Sequence, residues 1–469
     1  MTLEEVKNKL TEEQFQGFEL IMKSIAENKN MFLVKGVAGS GKTTLIATVM
    51  NHYHHLFPGN QISCTATTNK AVKVIRNKVN IDSPGVSYTT VHKQLKLKEK
   101  IVDGNQLFIS DFSNLLDSDT PDIIFVDECS MISNSALKIK NVQGISLWEN
   151  ILEFSVKCNV KFIFIGDFGQ IPPVGETICV LNNPDTISKY NIEVFELRKV
   201  VRQAAGSPII QLASYVREHQ DWRILQYNYK DCHTAQGNLS IWPRDNQPAV
   251  LRKIQELVTD PQYKENSDFT RCVTWTQESG TNLNQAIRIM IFGEKAKNNK
   301  FIIGEKLIAN KPIIQSDGFH KKTLFTTSDE FTILDFRLGV SHGTKKDNSD
   351  TFNCYYVTVR SDFDNEIVEE IAILHESSEK HYNSYLNNIK KIATDTRDNK
   401  MWVWFYRFQE RFADISYAYS ITAHKAQGST FVHCNVVEKD IYKNWKILER
   451  NQILYTAYTR PSQSLNLIR

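Results

Sequence analysis

The stretch Phe32–Leu45, FLVKGVAGSGKTTL, places three glycines in the six residues before Lys42, directly after an apolar run and directly before an apolar helical pattern. Gly36, Gly41, Lys42 and Thr43 occupy the fixed positions of the P-loop spacing GxxxxGK[ST], whose backbone cradles a nucleotide polyphosphate. A helix opening at this turn aims its unpaired N–H groups and positive dipole end at an anion, and Gly39 and Gly41 let that anion approach. The Lys42 ammonium is then expected at the terminal phosphates and the Thr43 hydroxyl on Mg²⁺, so the expected ligand is a metal-bound triphosphate. The candidate nucleotide-binding segment is the whole loop: Gly36, Val37, Ala38, Gly39, Ser40, Gly41, Lys42, Thr43 and Thr44.

At 469 residues the chain exceeds one ordinary core, and a guide of roughly 150 residues per domain predicts several compact units. Apolar residues at 41% and charged residues at 23% fit a globular chain rather than a disordered one. The opening MTLEEVKNKL lacks a basic segment followed by an apolar stretch, and no run long enough to span a bilayer occurs. A cytoplasmic protein with no membrane contact is therefore expected. The 8 cysteines are scattered without a CxxC pair, which favours reduced core residues over a zinc site or a disulfide framework. His52, His54 and His55 close a helical pattern and lack a complete ligand set, so a solvated helix end is expected there. The net charge of +3 decides nothing about nucleic acid, because a groove can be locally basic without showing in the sum.

Phe15, Phe18, Ile21, Met22 and Ile25 recur at helical spacing, which predicts a helix with one buried face. The runs MFLVKG, QISCTAT, DIIFVDE and VKFIFIGD follow, alternating with helical segments, as in a parallel sheet covered on both faces. A second α/β series begins near residue 204 with RCVTWTQ, SYAYSIT, HCNVVEK and SLNLI. It is interrupted between 310 and 411 by short alternating strands of antiparallel texture and a polar helical stretch containing MWVWFYRF. Within KEKIVDGNQLFIS, Asp103-Gly104 between two strand-like flanks is the signal of a two-residue hairpin.

IIFVDECSM ends an apolar strand in Asp127 and Glu128. Downstream of a P-loop, an Asp at such a strand end can hold Mg²⁺ opposite Thr43, and the adjacent Glu can take a proton from an attacking water. GDFGQIPPV places Gln170 where an amide can sense the γ-phosphate or position water.

The order of these segments resembles the superfamily 1 helicases, and among them superfamily 1B, the branch of RecD and the phage Dda helicase. LTEEQ, with Gln14, looks like the adenine-reading motif; TATTNKA, TTVH, VDECSM, GDFGQIPPV and LRKVVRQ follow in family order, and SITAHKAQGST and YTAYTR complete it. The resemblance implies an ATP-dependent DNA helicase moving 5′ to 3′ on single strands, in replication, recombination or repair. A strand-stimulated translocase that displaces bound proteins is the alternative. It implies ATP and Mg²⁺ as ligands, with Thr43 and Asp127 at the metal. It also implies Lys42, Asp127, Glu128 and Gln170 in catalysis, Arg202 and Arg460 as arginine fingers, and Gln427 and Gly428 at the nucleotide. Contacts to single-stranded DNA map to Thr68, Asn69, Thr90, His92, Thr422, His424 and Lys425, and the strand-separating pin to Asp103 and Gly104.

The implied architecture is two RecA-like cores, 1–203 and 204–309 with 412–469. The first carries a pin insertion at 94–120 and the second an SH3-like insertion at 310–411. Partners implied are single-stranded and forked or tailed duplex DNA, with a single-strand-binding protein as a further one, and the protein is expected to act as a monomer in a bacterial or phage-infected cell. The aromatic cluster Trp402, Trp404, Phe405 and Tyr406 is expected to pack as core. Four features depart from the family: TATTNKA lacks the usual proline, Cys129 stands at a position commonly aliphatic or small, Pro461 follows Arg460, and Ser328–Glu330 replaces an Asn-Gly turn.

Overall fold

The apolar runs become strands of two largely parallel sheets, inner ones except for SYAYSIT, which supplies an edge strand. The computed structural model describes residues 1–79, 81, 83, 85–102, 104–110, 120–135, 138–139, 142–143, 145–201, 206–220, 230–243, 247–316, 321–342 and 350–469. In the first sheet the strands Met31–Gly36, Ile62–Ala66, Val86–Thr90, Ile123–Asp127, Lys161–Gly166 and Glu193–Leu197 all run parallel. Successive strand residues point to opposite faces, and each face is covered. Phe32, Val34, Cys64, Phe125 and Ile163 pack with the helices Glu12–Ala26, Lys42–Leu56 and Asn69–Val79. Met31, Leu33, Ile124, Val126, Phe162 and Phe164 pack with Leu147–Cys158.

The second sheet uses Gly237–Trp242, Thr270–Thr274, Ser420–Thr422, Phe431–Val437 and Pro461–Ile468, all parallel, with Cys232–Thr234 antiparallel at one edge. Its five parallel strands, numbered along the chain, lie in the order first, fifth, fourth, second, third, and the first five strands of the first sheet have that same order. In each sheet the third strand is therefore outermost. In the first it ends at Thr90 and in the second at Thr422.

A five-stranded antiparallel sheet comprises Lys306–Ala309, Glu330–Ser341, Phe352–Ser361, Val368–Leu374 and Ile415–Tyr417. Its opening and closing strands lie outside the 310–411 expected for the insertion, because each completes the sheet by pairing with the other. The helices Glu379–Thr396 and Asn399–Gln409 pack together beside it around Phe352, Tyr382, Tyr385 and Phe408. Leu97–Val102 and Asn105–Ser110 form an antiparallel hairpin with Gly104 at its tip, at a φ of 78°. None of the described helices is long and apolar enough to cross a membrane.

All eight cysteines are free. His52 departs from the solvated helix end expected: it is buried, its Nδ1 is 2.8 Å from the Met1 carbonyl, and its ring meets Phe18 edge-on. The first helices fold back over this end of Lys42–Leu56, so only His55 of the three is exposed.

Candidate nucleotide and strand site

The P-loop follows the strand Met31–Gly36 and opens the helix Lys42–Leu56 from Gly41, which sits in the left-handed region at a φ of 79°. The cradle has no room for side chains. A Cβ on Gly36 would lie 2.7 Å from Ser40 Oγ, and one on Gly41 would lie 2.1 Å from Gln14 Nε2. Lys42 Nζ donates to the carbonyls of Gly36 at 2.8 Å and Val37 at 2.9 Å, which puts the ammonium at the centre of the loop. Ser40 Oγ is buried without a partner. A concave ring of backbone with a cation at its middle fits a polyphosphate, and the Thr43 hydroxyl and Asp127 carboxylate are hard oxygen donors of the kind Mg²⁺ takes.

Gln14 is buried against this loop. Its amide accepts from Thr11 N at 3.0 Å and donates to Ser40 O at 3.0 Å, so it closes a capping box and braces the P-loop together. Glu13, its neighbour, accepts from the N–H groups of Arg198 and Lys199 at 3.0 Å each. Val201 N donates to Gly39 O at 2.8 Å, bringing this segment against the P-loop. Arg202 itself, like Asp103, lies outside the described residues.

Asp127 ends its strand with Oδ1 accepting from Glu128 N at 2.9 Å. Glu128 adopts a φ of 52°, which turns its side chain away from the strand direction. Burial pushes both carboxyls above the usual range. For Glu128 the neighbouring Asp127 adds to the rise, while Arg460 and Lys42 oppose it. Cys129 packs against Gly166, where a Cβ would sit 2.8 Å from its sulfur, so its small side chain answers to the closeness of the next strand.

Residues of the second sheet's unit, on the helix Ile447–Tyr458 and the loop after Ala423–Ala426, close on this site. Tyr455 donates to Asp167 Oδ2 at 2.6 Å and accepts from Ala38 N at 3.1 Å. Thr456 Oγ1 accepts from Ile171 N at 3.1 Å, and Gln427 Nε2 donates to Ile171 O at 2.8 Å. Gln170 is thereby held in a turn gripped by the other unit. Its Oε1 has no partner, and it lines a cavity of about 30 Å³ that also includes Ser130 and Gln452. Gly428 lies where a Cβ would be 3.3 Å from Ala71 Cβ and 4.0 Å from Glu128 Cγ. Arg460 is buried, its guanidinium donating to Thr456 O, Ser429 O and Thr459 Oγ1 at 2.9 to 3.1 Å.

The strand-contact candidates fall at two matching corners. Thr90 Oγ1 accepts from Lys93 N at 3.4 Å, and Thr422 Oγ1 accepts from Lys425 N at 3.4 Å. Each caps a short helix in the same words of sequence, TVHK and TAHK. His92 is exposed and meets Phe108 of the hairpin edge-on, while His424 is half-buried. Lys425 Nζ reaches Asn310 Oδ1 at 2.5 Å. Thr68 caps Ala71 N at 3.2 Å, and Asn69 Nδ2 donates to Thr326 Oγ1 at 2.7 Å.

Gly104, at the hairpin tip, lies against the helix Asn399–Gln409. Tyr406 OH donates to Gly104 O at 2.7 Å, and a Cβ on Gly104 would meet the Trp402 ring at 2.6 Å. Trp404 packs toward Phe408, so the aromatic cluster does pack rather than stand free. Sequence reading missed Tyr455 and Thr456. It also missed the repeated Thr-x-His-Lys, which was visible as a repeat.

A family model described as an AAA domain matches residues 9–233. An uncharacterized protein, R530, of Acanthamoeba polyphaga mimivirus is 25% identical, over 98% of this chain and 99% of its own. The ATP-dependent DNA helicase dda of Enterobacteria phage T4 is 25% identical, over 96% and 97%. A structure of the Pif1 helicase from Bacteroides with ADP-AlF3 and ssDNA superposes with a TM-score of 0.47 at 14% identity, covering 97% of this chain and 92% of that one.

Proposed function

We propose, for a chain that belongs to superfamily 1B, the Dda-like branch of the helicases, a motor that hydrolyses ATP in a cleft between two RecA-like cores and moves 5′ to 3′ along single-stranded DNA. The cores are built on 1–203 and on 204–309 with 412–469, and the SH3-like insertion is 310–411 together with the flanking strands Lys306–Ala309 and Ile415–Tyr417 that complete its sheet. The observation that carries this reading is the clasp around the P-loop. Residues of the second sheet's unit touch the P-loop backbone, the GDFGQ turn and the neighbourhood of Glu128 at once.

In this reading Lys42 and the loop amides bind the phosphates, and Gln14 holds the loop in shape next to the base. Thr43 and Asp127 are the residues that would hold Mg²⁺, which supplies charge neutralisation at the phosphates when bound. Glu128, made more basic by burial, takes the proton of the attacking water. Arg460, joined by Arg202, stabilises the charge that spreads over the transferring phosphoryl group. Because Gln170 sits in a turn gripped by Gln427 and Thr456, it reports the state of the cleft to the second unit.

Thr68, Asn69, Thr90, His92, Thr422, His424 and Lys425 offer hydroxyl, amide, imidazole and ammonium groups, which suit phosphate oxygens and carry no base identity. Opening and closing of the cleft then shifts one corner relative to the other along the strand. The pin assigned to Asp103 and Gly104, with Gly104 at its tip, is the wedge at the fork. The test is ATPase stimulated by an oligonucleotide, with unwinding of duplexes bearing only a 5′ or only a 3′ tail. Unwinding of the 5′-tailed duplex alone is expected; strand-independent hydrolysis, or unwinding from the 3′ tail, overturns the reading.

A further inference from the structure

The helix Asn69–Val79 opens with a lysine that faces away from its own unit. Lys70 Nζ lies 2.6 Å from Asp268 Oδ1, in the segment entering the strand Thr270–Thr274, and 3.2 Å from Glu330 Oε1, at the start of the strand Glu330–Ser341. Arg271 Nη2 meets the other oxygen of Glu330 at 2.6 Å. Arg271 is fully buried and Glu330 nearly so. Burial by itself raises the Glu330 carboxyl, but Arg271 and Lys70 outweigh it and hold it down to about 2. Two cations and two carboxylates thus balance where the first sheet's unit, the second sheet's unit and the antiparallel sheet meet.

The ring of Phe431 lies beneath both cations, 5.1 Å from Lys70 Nζ and 5.4 Å from Arg271 Cζ. Phe431 N in turn donates to Arg460 O at 2.9 Å. One residue along the helix, Ala71 abuts Gly428, and Gly428 approaches Glu128. The same helix also holds the antiparallel sheet through Asn69 to Thr326, and through Lys73, whose ammonium stands 3.6 Å from the centroid of the Phe363 ring. Glu330 belongs to the Ser328–Glu330 turn in which this chain departs from its family: Ser328 takes a φ of 68° and Asp329 accepts from Thr326 N at 2.6 Å.

We infer that Lys70 is a positioning residue for hydrolysis, a cross-cleft ionic pin that sets the register of Arg460 against Glu128 through Asp268, Glu330 and Phe431. The inference rests on the reading of the cleft given above. It separates two jobs for the TATTNKA segment: the proposed function assigns Thr68 and Asn69 to the strand, whereas Lys70 faces the other unit. Since Arg460 acts on charge that develops during hydrolysis, its misplacement weakens the transition state more than it weakens ATP binding. Removing Lys70 leaves Glu330 paired with Arg271 and leaves the partly exposed Asp268 to solvent, so no buried charge is orphaned and the fold survives.

The test is steady-state ATPase of the full chain with saturating oligonucleotide, alongside strand affinity without nucleotide. Lys70→Met is expected to lower kcat by about tenfold to a hundredfold, as small misplacements of catalytic groups do. Its KM for ATP and its strand affinity stay within about twofold, so the loss is confined to the transition state. Lys70→Arg recovers most of the loss. Asp268→Asn, at a half-exposed position, moves kcat in the same direction, and the double variant is no worse than Lys70→Met alone because the two act as one unit. Unchanged kcat in Lys70→Met, a rise in KM at constant kcat, additive effects, or a Lys70→Arg variant as impaired as Lys70→Met would each overturn the inference. Absence of strand-stimulated turnover in the unmodified protein would instead overturn the function proposed above.

Discussion

Tyr455 and Asp167 share a 2.6 Å hydrogen bond across two units, and the same phenol accepts the Ala38 N–H of the P-loop. Burial, then the Asp167 charge, push the Tyr455 hydroxyl well above its ordinary range, so it remains a donor. Tyr455→Phe removes both bonds while keeping the ring in its core. A buried bond to a charged acceptor contributes about 1.5–3 kcal/mol. Strand-stimulated turnover is expected to fall by about tenfold or more; turnover equal to the unmodified protein would show that the clasp is incidental.

The hairpin tip rests on Trp402 and Tyr406. Trp402→Ala with Tyr406→Phe leaves the tip without its support and is expected to cut unwinding of a tailed duplex several-fold. Strand-stimulated ATPase stays within about twofold, because the P-loop and its clasp are untouched. A parallel loss of both activities would contradict a mechanical role for this contact.

In the proposed function Glu128 must be ionised to accept a proton, and its carboxyl is raised first by burial and next by Asp127. Turnover is therefore expected to climb as pH rises through a value above that of an ordinary glutamate, and Glu128→Gln abolishes turnover together with that limb. For stability the sign is opposite. A raised carboxyl contributes stability below its unfolded pKa and loses it as pH rises through its folded pKa. At neutral pH Glu128→Gln is expected to raise the thermal midpoint while removing activity. A lower midpoint at pH 7 would be inconsistent with the buried, penalised carboxylate.

Gly41→Ala adds a Cβ 2.1 Å from Gln14 Nε2 at a backbone position with positive φ. The left-handed conformation alone costs a non-glycine residue about 1–2 kcal/mol. Binding of a fluorescent ATP analogue is expected to be lost, and Gln14→Ala in the same chain should relieve the clash without restoring binding, because the backbone strain persists. Full recovery in the double variant would assign the whole effect to the glutamine.

Much of this was legible in the sequence because its signals are local. The P-loop, the Asp127-Glu128 strand end and the helix Glu12–Ala26 each declare themselves within about fifteen residues, through spacing or apolar periodicity. Gly237–Trp242 and Glu193–Leu197 escaped notice because their polar or half-exposed residues break the apolar run that marks a buried strand. The contacts of Lys70 and Tyr455 could not be read at all. Their partners lie hundreds of residues away, and nothing in NKA or LYTAY distinguishes a residue that spans a cleft from one that faces solvent or core. Glu330 was flagged as a departure from the family turn, yet only the fold shows what that carboxylate meets.

The five-strand order shared by the two sheets, with a threonine-capped Thr-x-His-Lys at the end of each outermost parallel member, has a mechanical implication if the proposed function holds. A polymer of uniform phosphates presents the same handle at every step. Two hands of one make suffice to walk along it, provided the span between their wrists lengthens and shortens by one repeat. Neither hand then needs remodelling during the cycle, and all directionality has to come from the timing with which each one lets go.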